Sequence, residues 1–272
     1  MKRVNVEKQT GVRQSPMRVG FGLLLLAGLT TSHAALATEA IVGSWYFDLP
    51  ETHGVATFLG DGTYFEAIDV TGDSAHTGVE WGTYSWDAVS GMVTASSLGD
   101  TDGNWGFAGD VDGPQYVSIS GNTATITQPG CSSCTAGSLA RVLHPADSIV
   151  GTWLVPSGFQ GTITFFADGS YIHGEEGHDG APAGVERGTY SWDSLTGVLI
   201  ATSIITDTNG ESGLSNPQGT LTATFNASGV LTVTEGGIQH EVVAAPVPEP
   251  ETYAMLLAGL GLVGWAVRRL KG

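Results

Sequence analysis

Between Thr38 and Pro246 the sequence has no lysine and only two arginines, Arg141 and Arg187, against 24 aspartates and glutamates, a formal charge of −22 over that span. Such a surface repels phosphate backbones and anionic lipid headgroups, which excludes nucleic-acid binding as a role. Cysteine is nearly missing: the chain has two, Cys131 and Cys134, in one Cys-x-x-Cys. A metal knuckle would need two further ligands at matching spacing, and no second pair exists. A thioredoxin-type pair would need a strand before it and a helix after it. A local disulfide pinching a loop is the reading that suits an oxidising compartment. Helical periodicity is absent from the body as well, and 40 glycines in 272 residues argue against helices there.

The cations are concentrated at the two ends. Lys2, Arg3, Lys8, Arg13 and Arg18 precede the apolar run Val19 to Leu29, and Ala35-Leu36-Ala37 fits an A-x-A cleavage rule. Residues 1–37 are therefore expected to be a signal peptide, with Ser32-His33-Ala34 the alternative site and Met17 an alternative start. At the other end stand Val247-Pro248-Glu249-Pro250, then an uncharged run from Tyr253 to Val267, then the basic stop Arg268, Arg269, Lys271. As a transmembrane helix the run spans about 22 Å, short of the roughly 20 residues of a comfortable span. Its basic end favours the cytoplasmic side.

This tail resembles the PEP-CTERM protein-sorting signal of exported Gram-negative proteins, a segment also labelled an ice-binding-protein C-terminal domain. The resemblance implies a fate. The exported protein is anchored transiently in the inner membrane by the C-terminal helix. An exosortase-type enzyme then processes it near Pro-Glu-Pro, and the body passes to the cell surface or the exopolysaccharide matrix.

The body is written twice. Ile41-Val42-Gly43-Ser44-Trp45 recurs as Ile149-Val150-Gly151-Thr152-Trp153, and GVEWGTYSWD (78–87) recurs as GVERGTYSWD (184–193). The expected organisation is signal peptide 1–37, module one 38–145, module two 146–245 and sorting signal 246–272. Short alternating runs rich in Thr, Val, Tyr and Trp, punctuated by Asp61-Gly62, Ser90-Gly91, Asn122 and their partners Asp168-Gly169, Thr196-Gly197 and Ser228-Gly229, predict antiparallel hairpins. The fold class is all-β: two tandem modules of seven or eight strands, each a small barrel or a sandwich. Gly-x-Trp opening each module resembles the lipocalin and avidin-like barrels. That resemblance implies a last-strand arginine over the Trp, met by Arg141 in module one, with His240 at the matching place in module two.

Period two puts Glu80, Gly82, Tyr84 and Trp86 on one face, repeated as Glu186, Gly188, Tyr190 and Trp192. Trp81 becomes Arg187 on the other face, which is therefore expected to be exposed. Glu80, Tyr84, Trp86, Glu186, Tyr190 and Trp192 form either a ligand-facing platform for a small ligand or carbohydrate, or a rim glutamate over core aromatics. Asp100, Asp102 and Asn104, repeated as Asp207, Asn209 and Glu211, place oxygens at positions 1, 3 and 5. That is calcium-loop spacing without the glycine and glutamate of an EF-hand, and solvated turns are the bland alternative. His173, Glu175, Glu176, His178 and Asp179 are expected in one glycine-rich loop of module two, and the equivalent loop of module one holds Glu66, Asp69, Asp73 and His76. No G-x-S-x-G or defensible catalytic triad is present. The expectation is a non-enzymatic exported protein, with no cofactor beyond calcium, and with a lipocalin-like binding protein as the alternative.

Overall fold

The structure is a computed structural model. It describes residues 40–247 apart from 104, 109–112, 132–135, 155–160, 178–180, 211–212, 218 and 227–229. The expected signal peptide and the C-terminal helix lie outside the described residues, as does the turn at Ser228-Gly229.

Module one is a meander of eight strands: β1 (Gly43–Asp48), β2 (Thr52–Phe58), β3 (Thr63–Val70), β4 (Gly78–Trp86), β5 (Val93–Asp100), β6 (Tyr116–Ser120), β7 (Thr123–Thr127) and β8 (Gly137–Arg141). Module two repeats it with β9 (Gly151–Leu154), β10 (Gly161–Phe165), β11 (Ser170–Glu175), β12 (Gly184–Trp192), β13 (Leu199–Asp207), β14 (Thr222–Phe225), β15 (Leu231–Glu235) and β16 (Ile238–Ala244). In each, the last strand pairs with the first, giving the order β5-β4-β3-β2-β1-β8-β7-β6 and its repeat. One curled sheet per module replaces the sandwich alternative. The curl brings β5 to β6 at one end only: Val93 N–H donates to Gln115 O and Val117 N–H to Gly91 O (3.0 and 2.7 Å). Module two does the same through Leu199 with Leu221 and Ala223 with Gly197. Among the described residues no further backbone bond joins the two sheet edges, and Leu98 and Ile205 are exposed.

Inside the first curl Trp45, Phe58, Tyr64, Val93 and Leu139 form the core; Trp153, Phe165, Tyr171, Leu199 and Leu231 repeat it in the second. Each opening Trp donates its indole N–H to the carbonyl four residues back, Ile41 or Ile149 (2.8 and 2.7 Å). The Arg141 guanidinium lies 4.0 Å from the Trp45 ring centroid, a cation–π contact, and donates to the Val42 and Ala40 carbonyls. His240 is not its counterpart. In strand register Arg141 faces Trp45, whereas Ala244 faces Trp153 and His240 pairs with Val233. Trp153 is met by the edge of His144 instead, with ring centroids 5.2 Å apart.

A third cluster joins the modules. Val55, Phe65, Ala67 and Val79 on the outer face of β2–β4 pack against Ile172 and Val185 of β11 and β12. Tyr46 meets Phe166 at 4.2 Å between ring centroids. The approach is close enough that a Cβ on Gly174 would fall 2.7 Å from the Ala67 Cβ. β3 is therefore buried on both faces, which accounts for its apolar residues on both sides. Arg187 is not exposed as expected: its Nε donates to the Asp69 carboxylate, which also accepts from the Thr206 hydroxyl at 2.9 Å.

Candidate functional site

Cross-strand register builds a rung of acids inside module one. Glu66 of β3 is directly opposite Glu80 of β4, and Glu80 is directly opposite Asp100 of β5. Directly opposed residues hold their Cβ atoms about 5 Å apart. Glu80 is fully buried. Its Oε1 accepts from the Tyr64 hydroxyl and from the backbone N–H groups of Phe107 (2.8 Å) and Ala108 (3.1 Å). Those bonds tie the segment after β5 to the inner face of the curled sheet. A side chain at Gly106 would block the approach, since its Cβ would fall 2.6 Å from the Glu80 carboxyl carbon.

Asp102 completes the cluster from that segment. Its backbone N–H donates to Asp100 Oδ1 (3.0 Å) and its own Oδ1 accepts from Trp105 N–H (3.1 Å). One carboxylate oxygen from each of Glu80, Asp100 and Asp102 lies within 4.8 Å of the others. Asp102 Oδ2 and Glu66 Oε2 are buried with no hydrogen-bond partner among the described residues. Burial pushes the Asp102 carboxyl up to about 7, with the neighbouring Asp100 adding to the rise. Burial likewise holds Glu66 well above the usual range, reinforced by the charges of Glu80, Asp102 and Asp100. Glu80 is raised by burial and pulled back by its Tyr64 and backbone donors.

Module two keeps the tie and changes the cluster. Glu186 accepts from the Tyr171 hydroxyl (2.6 Å), Leu214 N–H (2.7 Å) and Ser215 N–H (3.0 Å). Its cross-strand neighbours are His173 and Asp207. The residue two after Asp207 is the buried Asn209, whose amide lies 3.4 Å from His173 Nδ1. A histidine and an amide thus replace two of the four carboxylates.

The four aromatic rings of the expected ligand platform are partly buried and hydrogen-bonded within their modules. Tyr84 and Tyr190 donate to the Leu59 and Phe166 carbonyls, and Trp86 and Trp192 to those of Val117 and Ala223. All four rings pack against the module cores. A cleft of about 630 Å³ opens instead along β13, lined by Val198 to Ile204, Leu214, Pro217 and Leu221; Glu186, Tyr190 and Trp192 do not line it.

Of the calcium-spaced residues, Asp100 and Asp102 come together. Asn104 and Glu211 lie outside the described residues, and Asp207 is exposed. Cys131 is disulfide-bonded, whereas Cys134 lies outside the described residues. His173 and Glu175 belong to strand β11, not to a loop, while His178 and Asp179 are outside the described residues. Of the sorting signal, only Pro246 and Val247 are described; Pro248, Glu249, Pro250, Arg268, Arg269 and Lys271 are not. Sequence reasoning missed Tyr64 as the partner of Glu80, and Glu66 and Gly106 beside it. A usable signal was the recurrence of Gly106 as Gly213 and Tyr64 as Tyr171.

Comparison with known proteins identifies a PEP-CTERM protein-sorting motif over residues 246–270. No curated protein matches the chain. Among solved structures, the DNA polymerase III subunit beta from Pseudomonas aeruginosa matches at 6% identity and a TM-score of 0.14, over 79% of this chain and 60% of that one. A second structure of that sliding clamp, bound to griselimycin, matches at 8% identity and a TM-score of 0.14, over 84% and 65%.

Proposed function

We propose that this is a non-enzymatic exported protein whose paired β modules are delivered to the cell surface or exopolysaccharide matrix by their C-terminal signal. The PEP-CTERM motif at residues 246–270 carries this reading. It implies recognition by an exosortase, a membrane-bound processing enzyme, with the apolar run anchored in the inner membrane until then. The composition supports it. A body of charge −22 without lysine suits a soluble extracellular protein, and a disulfide at Cys131 suits an oxidising compartment. A non-catalytic role is supported by the use of Glu80 and Glu186 as ties between strand and loop.

The test is to replace Pro248, Glu249 and Pro250 together by alanine and to fractionate the native host. Wild-type protein is expected in the surface or matrix fraction and the variant in the inner membrane. Equal distribution of the two would overturn the reading.

A further inference from the structure

Among the described residues, the four carboxylates inside module one have no protein cation to neutralise them. The body contains only Arg141 and Arg187. Arg141 is spent on Trp45 and Arg187 on Asp69. The nearby His76, stacked on Trp105, is held by Asp73 at 2.7 Å. Burying several like charges together is strongly unfavourable unless the carboxyls take up protons or a counter-charge joins them.

We propose that module one binds one calcium ion through Glu80, Asp100 and Asp102, with Glu66 beside them, and that module two does not. Three oxygens within 4.8 Å of one another can share one ion. Asp102 Oδ2, on a fully buried residue, has no hydrogen-bond partner among the described residues and is available as a ligand atom. Glu66 Oε2, on a residue 5% exposed, is a second. An all-oxygen, carboxylate-rich set with no imidazole or thiolate selects a hard cation, and irregular loop-and-strand geometry suits calcium over the strict octahedron of magnesium. Half-buried Asp100 leaves an entry path from solvent. The ion would also brace the loop that Glu80 ties down.

Module two supplies the internal control. At the places of Glu66 and Asp102 it carries His173 and Asn209, on the same backbone frame. Two carboxylates fewer remove both the repulsion and the binding charge.

The experiment is calorimetric titration and thermal unfolding of the full chain in detergent, stripped with chelator and then given calcium chloride or magnesium chloride. One calcium per chain is expected, with a dissociation constant of about 10⁻³ M or tighter, a raised Tm, and weaker binding of magnesium. Asp102→Asn, which installs the residue of module two, is expected to fold and to weaken calcium binding at least about tenfold. Asp100→Asn, at a half-buried position, is the second variant and should do the same. The proposal is overturned by the absence of saturable calcium binding up to about 10 mM, tenfold above the weakest extracellular sites. It is equally overturned by two equivalent sites per chain, by magnesium binding as tightly as calcium, or by undiminished calcium binding in whichever variant folds.

Discussion

Arg187 of module two donates its Nε–H to the buried carboxylate of Asp69 in module one, across the boundary between the two curled sheets. Asp69 is 2% exposed and the Arg187 side chain 18%, so water screens the pair only in part. Removing one partner leaves an uncompensated charge, which costs about 3–5 kcal/mol in buried pairs. Arg187→Ala is expected to lower the unfolding free energy by that order in urea titrations. The double variant Asp69→Leu with Arg187→Leu should recover most of the loss, because two apolar side chains restore packing without a stranded charge. A loss below about 1 kcal/mol for Arg187→Ala, the value of an exposed pair, would show that the modules are not joined there.

The ties at Glu80 and Glu186 make a second prediction. Tyr171→Phe removes one of the donors to the buried Glu186 carboxylate and should cost about 1–3 kcal/mol. Tyr190→Phe removes only a bond to a backbone carbonyl and should cost about 1 kcal/mol. Thermal unfolding of both variants checks the order; the reverse order would contradict the tie.

Crowding at the same place gives a third. Gly106→Ala pushes a methyl to within 2.6 Å of the Glu80 carboxyl, whereas at Gly137 no atom of the described residues lies within 4 Å of such a methyl. Gly106→Ala is expected to destabilise by about 1–3 kcal/mol, and Gly137→Ala to stay within about 0.5 kcal/mol of wild type. Denaturant midpoints of the two variants, measured side by side, decide it.

His144 supplies the pH dependence. Burial holds its imidazole below the ordinary value, and its Nε2 accepts the Thr152 N–H at 3.1 Å, so the folded protein keeps it neutral. The unfolded chain binds a proton there as pH falls through about 6.5, and the folded chain resists doing so. Its stability contribution is therefore complete above that pH and is lost on acidification. The stability difference between wild type and His144→Leu should shift against wild type from pH 7 to pH 5. A difference that stays flat over that range would contradict the assignment.

The duplication, the all-β class and most of the hairpin turns were legible because they are local: each turn is written in two residues, and the repeat is written in identical decapeptides. Asp100-x-Asp102 was legible for the same reason. Register and the face between modules were not. That Glu66, Glu80 and Asp100 form one rung depends on how three strands align over 35 residues of chain, which no local pattern states. Arg187 looked solvent-exposed because its partner Asp69 lies in the other module. Glu80 looked ligand-facing because its donors, Tyr64 and the Phe107 and Ala108 amides, arrive from a neighbouring strand and a loop. Strand pairing gives the place of Arg141 to Ala244, four residues beyond His240, and no local pattern states that register.

The most direct test of the sorting account is the intact mass of the mature chain recovered from the medium or matrix of the native host. The account predicts a single disulfide-containing chain that begins after the signal peptide and ends close to Glu249. A surface or matrix protein whose mass still includes the apolar run and Arg268, Arg269 and Lys271 would contradict it.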